Sequence, residues 1–240
     1  MSGSILPSPA AAASHKPAAF PLGTINCHLY HYAGNNPVRY VDTDGEKIRI
    51  WFFNQESKLF RYGRYYIWDN ESDCFINSYG NKITGNSFVD EITACIKYLK
   101  QSSLAKSMID KLDKSDRFVT IKKSGIRTDA YTKGKNNIEI HFRTEMLLNL
   151  QDGTGSKNST ALNLSHEFVH AFDHIIDEMY EQESNNTNVD PKYFTKAEER
   201  AVFITNLIAE QLGEAIRPDY TSSYMEGRGT LSVTDFINKQ

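Results

Sequence analysis

The sequence predicts a mixed α+β fold, and this expectation rests on three observations. Two segments are rich in the aromatic and β-branched residues typical of strands, namely Lys47–Phe53 and Leu59–Trp68. From Phe88 to about Leu112, apolar residues recur at steps of three and four, which indicates helix. Alternating apolar and polar residues at Asn137–Phe142 then predict a further strand, ahead of two more helical segments.

The boundaries between these segments follow from turn and capping residues. Cys74–Tyr79 is a third candidate strand, and the loop near Gly85 ends at Ser87, which we expect to cap the helical segment. That segment is either one long helix or two shorter ones, with an apolar stripe that faces a core. A short strand is predicted at Phe118–Lys122. The polar residues 151–159 are expected to form a loop.

The composition is that of an ordinary soluble globular protein, with 40% hydrophobic and 24% charged residues among 240. A net charge of -3 provides no basic field that would favour nucleic acid as a partner. No run approaches the roughly 20 apolar residues of a membrane span. The three cysteines (Cys27, Cys74 and Cys95) are scattered, so they indicate neither a disulfide framework nor a cysteine metal site.

The first 28 residues predict a flexible leader. They are small and rich in Pro and Ala, and they lack a basic stretch before an apolar core, so we expect no secretory signal peptide. If the protein is exported, something other than a signal peptide on this chain must direct it.

The motif HEFVH, His166 to His170, lies in a helix predicted from Ser159 or Thr160 to about Tyr180. Residues four apart share one helix face, so His166 and His170 can present ring nitrogens to one metal ion. Glu167 can reach a water bound at an open coordination position. Two imidazoles with a carboxylate base form the arrangement that activates water on zinc. The alternative is a surface helix that carries two histidines by chance.

A third protein ligand is needed if one zinc position is left for water. His174 extends the same face, but three ligands over two helical turns span roughly 12 Å, too far for one ion. A metzincin pattern would place a histidine at position 176, which is Ile176, and Glu178 lies further along the same helix. A ligand from a second, antiparallel helix is therefore favoured.

That second helix is predicted to run from Thr195 to about Leu212, because Thr195 and Glu198 form a T-x-x-E capping box and Gly213 can end it. Glu198 and Glu199 both lie in its first turn, so one should point inward and the other into solvent. The residues alone leave open which of the two is the ligand.

The order of these motifs resembles the zinc metallopeptidases typified by the type III effector NleD, a group that also supplies toxin domains linked to Rhs proteins. The shared pattern is H-E-x-x-H-A, then E-x-x-A-V, then N, then G-x-x-x-R-x-x-Y. It is matched here by His166, Glu167, His170 and Ala171, then Glu198, Ala201 and Val202, then Asn206, and finally Gly213, Arg217 and Tyr220. Alignment on Ala201-Val202 selects Glu198 over Glu199.

The resemblance implies a zincin-like metallopeptidase fold with a small N-terminal β-rich region, a long helix, an edge strand, an H-E-x-x-H helix and a second ligand-bearing helix. Asn137–Phe142 is the candidate edge strand, which in zinc peptidases often binds an extended substrate by strand addition. The implied roles are Glu167 as the catalytic base, and His166, His170 and Glu198 as the ligands of Zn2+.

Four other residues are candidates for supporting roles. Arg217 and Tyr220 could donate hydrogen bonds to the oxyanion that forms at an attacked carbonyl, or they could simply pair and pack. Asp173 and His174 could orient a ligand histidine through its other nitrogen, or lie on a solvated face. His141, on the predicted strand at Asn137–Phe142, is interpreted as structural.

Residues 30–46 resemble the end of an Rhs/YD-repeat core, with the pattern Y-x-Y-x-x-N-N-P followed by D-P-x-G. The matching residues are Tyr30, Tyr32, Asn35, Asn36, Pro37, Asp42 and Gly45, with Thr43 in the usual proline position. A plain pair of turns is the alternative. The implied organisation is a leader at 1–28, an Rhs-core remnant at 29–46 and a zinc metallopeptidase toxin domain at 47–240.

The expected function is therefore a zinc endopeptidase that cleaves a protein in a target cell, delivered by a secretion system or toxin complex. Its expected partners are that protein substrate and an immunity protein, a chaperone or an Rhs shell, with no nucleic acid and no membrane span. The alternatives are a zinc hydrolase acting on cell-wall peptide or on a modified side-chain amide, and a catalytically inactive binding module.

Overall fold

The computed structural model describes residues 48–53, 63–125, 128–132, 137–144, 147–150, 155–177 and 180–226. The predicted leader, the Rhs-like block and Glu178 lie outside these residues. Helices and a sheet combine within them, as the α+β prediction requires.

Six strands form the main sheet, in the order β3-β2-β1-β4-β6-β5. The strands are β1 (Ile48–Phe53), β2 (Gly63–Asp69), β3 (Cys74–Ile76), β4 (Phe118–Lys123), β5 (Asp129–Thr132) and β6 (Asn137–Phe142). β4 pairs in parallel with β1 and β6, whereas the outer pairs are antiparallel. The register aligns Ile50, Ile121 and Ile140 in one row, and all three are fully buried, so this face of the sheet is the core face.

The prediction that Asn137–Phe142 is an edge strand is wrong. This strand, β6, pairs with β4 on one side and with β5 on the other. Alternation of apolar residues reports which face of a strand is buried, but not whether its backbone edges are paired. The segment Asp129–Thr132 carries no alternating pattern, so the sequence did not predict β5, which pairs with the outer edge of β6.

Two helices, α1 (Ser87–Leu99) and α2 (Ser103–Asp113), occupy the region predicted as one long helix or two shorter ones. Asn86 is the cap of α1, accepting from the amides of Phe88 and Val89 at 3.2 Å, so the cap lies one residue before the predicted Ser87. Ser102 caps α2 by accepting from the Ala105 amide at 3.1 Å. Their apolar faces pack into the core beside the sheet.

The helix that contains HEFVH, α3 (Thr160–Phe172), is central to the protein. Every residue from Thr160 to Ala171 is buried. The helix begins where predicted, with Ser159 as its cap, but the α-helix ends at Phe172, before the predicted Tyr180, and continues as a π-helical turn at Asp173–Asp177. The short helix α4 (Tyr180–Ser184) follows.

The second predicted helix is α5 (Lys196–Leu212). It is capped by Thr195 and ends at Gly213, whose φ of 73° is a left-handed conformation that glycine adopts without steric cost. Both ends were predicted.

A second sheet of three antiparallel strands has the order β8-β7-β9. Its strands are β7 (Leu147–Leu150), β8 (Lys157–Asn158) and β9 (Ser223–Glu226), of which β8 lies in the region predicted as a loop. Within the described residues, no helix is long and apolar enough to cross a membrane.

Candidate metal centre

Helix α3 places both histidines of the motif in its buried interior. His166 is 8% and His170 is 4% exposed, and their Nε2 atoms lie 3.2 Å apart. The two rings are nearly perpendicular, at 88°. Spacing of four residues brings the rings to one face, and burial of the whole helix fixes their directions. Glu167 is also buried, next to His166.

Helix α5 contributes Glu198 to the same point. Its Oε2 atom lies 3.1 Å from Nε2 of His166 and 3.5 Å from Nε2 of His170. Glu198 shares a helix face with Ala201, Val202 and Thr205, which are all buried, so the turn of α5 directs its side chain toward α3.

Glu199 lies on the other face of α5, with Phe203, which is 62% exposed. Its carboxylate pairs with Lys196 at 2.5 Å, and its side chain is 37% exposed. The residues alone left open which of the two adjacent glutamates is the candidate ligand. In the structure Glu198 faces the histidines and Glu199 does not.

The predicted capping box is only half formed, because Glu198 is directed elsewhere. Its backbone amide donates to Thr195 Oγ1 at 3.3 Å, as the motif requires. The Thr195 amide, however, donates to the Tyr193 carbonyl at 2.7 Å, and the Glu198 carboxylate faces the histidines instead.

Polar contacts at both ends hold α3 and α5 antiparallel. At one end, Glu214, just after α5, accepts from the Ser159 amide at 2.8 Å and from its hydroxyl at 2.7 Å. At the other end, Arg200 Nε donates to the fully buried Asp173 at 2.9 Å. Along α3, His166 and His170 lie between the two clamps, and on α5 Glu198 lies two residues before Arg200, so the clamps bear on the distance between Glu198 and the histidines.

The three converging atoms fit a metal ion. Four ligands about 2.1 Å from a tetrahedral zinc ion lie about 3.4 Å from one another. The observed separations of 3.1, 3.2 and 3.5 Å match this spacing. Two imidazoles and one carboxylate are also a donor set that suits zinc. Within the described part of the chain, this is the one cluster with metal-binding geometry, and it does not include His174.

Burial and the Glu198 carboxylate have opposite effects on the pKa values of the two histidines. Burial is the largest cause that lowers the pKa of His166, to about 4, so its ring is neutral at neutral pH. Burial also opposes protonation of His170, but hydrogen bonding to Glu198 and the charge of Glu167 outweigh it and raise its pKa. The pKa of Glu198 is lowered because the two histidines outweigh its burial. The carboxylate therefore remains ionised and available as a ligand.

Arg217 and Tyr220 lie beside the cluster. The Tyr220 ring is tilted against that of His166, with centroids 5.9 Å apart. The Arg217 guanidinium stacks on the Tyr220 ring at 4.5 Å and donates to the backbone carbonyls of Asp219 and Tyr220. Asn206 holds the Arg217 backbone with hydrogen bonds of 2.7 and 2.9 Å. Four residues of the resemblance pattern thus form one contact network, namely His166, Tyr220, Arg217 and Asn206.

A small pocket opens next to His166. Its walls combine apolar and polar side chains with the Arg217 guanidinium, and they come from α3, α5 and the second sheet. The lining residues are Leu148, Asn158, Leu162, Asn163, His166, Val202, Thr205 and Arg217.

The supporting residues divide into those that the sequence indicated and those that it did not. Asp173 was a candidate for orienting a ligand histidine, but its carboxylate accepts from Arg200 on α5, and burial raises its pKa to about 6. The backbone carbonyl of His174 accepts from Arg117 at 2.8 Å. His141 lies 3.7 Å from Glu139 on its own strand, away from the cluster. Arg200 and Glu214 were missed, since single charged residues carry no periodic signal.

The fold and the cluster together define an α+β protein with a candidate metal site built on two antiparallel helices. Residues 75–211 match the family Peptidase_M91, described as "Effector protein", and the chain belongs to this family. This confirms the resemblance to NleD-type effectors. The match includes His166, Glu167, His170 and Glu198. No curated protein matches the chain.

Proposed function

We propose that the protein is a zinc-dependent endopeptidase that acts as a secreted effector and cleaves a protein in a target cell. The observation that carries this proposal is the spacing of the His166, His170 and Glu198 ligand atoms, which suits tetrahedral zinc. Membership of an effector peptidase family supports peptide bonds as the substrate. The fold is then zincin-like, with two ligands on α3 and the third on α5.

In this mechanism His166 and His170 would hold the ion through Nε2, and Glu198 would hold it through Oε2. When bound, Zn2+ polarises the peptide carbonyl and acidifies water. Glu167 accepts a proton from the attacking water on its carboxylate. It then returns that proton to the nitrogen of the departing amine. Glu167 is buried next to His166, so its carboxylate is held close to the proposed metal site.

Arg217 is the best-placed donor for the oxyanion that forms at the attacked carbonyl. Two of its donor groups are fixed by the Asp219 and Tyr220 carbonyls, which orients the guanidinium. Its positive charge is close enough to lower the pKa of His166. A preorganised cation at this position would stabilise developing negative charge.

The setting of this domain is also part of the proposal. We interpret residues 29–46 as the end of an Rhs-type core and residues 47–240 as the toxin domain that follows it. Delivery by a secretion system or toxin complex, and an immunity protein or chaperone as partner, follow from that organisation.

The experiment that tests this function compares the zinc-loaded wild type with Glu167→Gln in target cells, by labelling the protein termini that cleavage creates. We expect new termini only with the wild type, because the amide cannot accept the proton, and equal zinc content in both proteins. Equal cleavage by Glu167→Gln would exclude this mechanism. Peptidoglycan fragments as products would favour a cell-wall hydrolase, and failure to bind zinc would favour a binding module.

A further inference from the structure

Phe194 combines two features that are unusual for a large apolar residue. Its ring is 57% exposed to solvent, and its φ is 62°, in the left-handed region that bulky residues rarely adopt. The Thr195 amide donates to the Tyr193 carbonyl at 2.7 Å and so closes a tight turn centred on Phe194. A turn of this kind with positive φ is rare and strained.

The turn is held in place by the segment that follows α5. Tyr193 donates its hydroxyl proton to the Pro218 carbonyl at 3.2 Å, and the Thr221 amide donates to the Lys192 carbonyl at 3.2 Å. Lys192 also lies 3.8 Å from the Asp219 carboxylate. These contacts fix the backbone before Phe194, and Thr195 after it is the cap of α5, so the exposed ring is presented in a defined direction.

Ring contacts connect Phe194 to the candidate metal centre. The Phe194 ring meets the Tyr220 ring edge to face, with centroids 5.6 Å apart. Tyr220 in turn contacts His166, at 5.9 Å. The three rings form a continuous row from a proposed zinc ligand to the protein surface. Backbone strain of this kind is tolerated where the surrounding structure enforces it, and it is concentrated at binding and active sites.

We propose that Phe194 and Tyr220 form an aromatic wall of the substrate cleft, which binds an apolar or aromatic side chain of the peptide substrate next to the scissile bond. This inference rests on the proposed peptidase function. The exposed Phe194 ring, packed edge to face on the half-buried Tyr220 ring, offers a rigid apolar surface at little cost in side-chain entropy. The substrate side chain would cover the part of Phe194 that solvent now contacts.

The test uses Phe194→Gly, because glycine removes the ring and also accepts the positive φ. The variant should therefore unfold at the same temperature as the wild type or a higher one, so that lost activity cannot be attributed to lost folding. Phe203→Ala is the matched control, since Phe203 is equally exposed but lies on the outer face of α5.

The zinc-loaded proteins are given a peptide library made by digesting a cell proteome, and cleavage sites are read by mass spectrometry. We expect the wild type and Phe203→Ala to prefer an apolar residue at one position beside the cut. Phe194→Gly should lose that preference, and kcat/KM for a preferred peptide should fall about tenfold, mainly through KM. Binding of the same peptide to zinc-loaded Glu167→Gln should weaken by a similar factor when Phe194→Gly is added.

Three results would count against the proposal. An unchanged cleavage profile and unchanged peptide affinity for Phe194→Gly would overturn the aromatic wall and leave the peptidase function standing. A wild-type profile without apolar preference would do the same. No cleavage by the zinc-loaded wild type in the library and in target cells would overturn both proposals.

Discussion

The interior beneath the main sheet and the interior between α3 and α5 differ in chemistry. Beneath the sheet, the buried side chains are almost all apolar, as in the row Ile50, Ile121 and Ile140. The buried surface of α3 instead carries ionisable and polar groups. On α3 these are Asn163, Ser165, His166, Glu167 and His170, and Asp173 follows in the π-helical turn.

This difference supports the proposal that the sheet core provides stability and the helix pair provides the metal site. Burial of apolar surface stabilises a fold, whereas burial of polar groups costs free energy unless each finds a partner. Two buried histidines face one carboxylate within 3.5 Å. Burial of these three groups costs free energy, which a metal ion bound between them would offset. This arrangement supports the proposed zinc site, and it predicts that the sheet core contributes more to stability than the helix pair does without metal.

The largest effect expected from this comparison is on zinc-linked stability. Zinc at a thousandfold excess over its Kd should raise the free energy of unfolding of the wild type by about 4 kcal/mol. Glu198→Gln should lose most of this increment because a ligand is gone, whereas Glu199→Gln should keep it. Chemical unfolding with zinc and with a chelator measures both. Equal increments for the two variants would show that Glu198 is not a ligand.

Acid should also reduce the zinc increment. The pKa of His170 is raised above the ordinary histidine value near 6.5. As the pH falls, its ring therefore takes up a proton earlier than an ordinary histidine does. A protonated ring cannot bind zinc. Zinc affinity measured by competition with a chelating dye should therefore fall between pH 7.5 and pH 5.5. A constant affinity across this range would show that His170 is not a ligand, whereas His166, with a pKa of about 4, stays neutral throughout it.

The sheet core should respond in the opposite way. Ile121→Ala removes a fully buried side chain and leaves a cavity, so the free energy of unfolding should fall by about 2–5 kcal/mol. The zinc increment should remain that of the wild type, because the substitution lies outside the helix pair. Unfolding curves with and without zinc check this. A reduced increment would show that the two interiors are coupled.

A smaller effect is expected at the Asp173–Arg200 clamp. Arg200→Ala leaves a fully buried carboxylate without this partner, which should cost about 1–3 kcal/mol. The loss should be smaller below pH 6, since burial already raises the pKa of Asp173 to about 6 and the neutral acid needs no cation. Pairing the change with Asp173→Asn, and measuring unfolding at pH 5 and pH 8, checks this. Equal losses at both pH values would contradict it.

The sequence predicted most of the helix pair but less of the sheet. Spacing of four residues is a property of one helix, so His166 and His170 could be paired without a structure. Helix faces narrowed the third ligand to two glutamates, and only the family pattern separated Glu198 from Glu199. The pairing of Asp173 with Arg200, 27 residues apart, depends on how α5 returns along α3, and no local pattern encodes it. The same limitation made β6 seem an edge strand, since β5 was not recognised.

Glu214 provides the smallest and most selective test. Its carboxylate is buried and accepts hydrogen bonds from the amide and the hydroxyl of Ser159. Burial raises the pKa of Glu214 despite these hydrogen bonds. A raised pKa in the folded state means that folding favours the protonated acid. Its contribution is therefore fully present below the pKa of the unfolded chain and is lost as the pH rises through the folded-state value. Glu214→Gln does not titrate, so the melting temperature of the variant relative to the wild type, both without zinc, should increase from pH 4 to pH 8. A relative melting temperature that decreases over this range would show that Glu214 is held as a stabilised carboxylate, and that this clamp, unlike the Asp173 end, is electrostatically favourable.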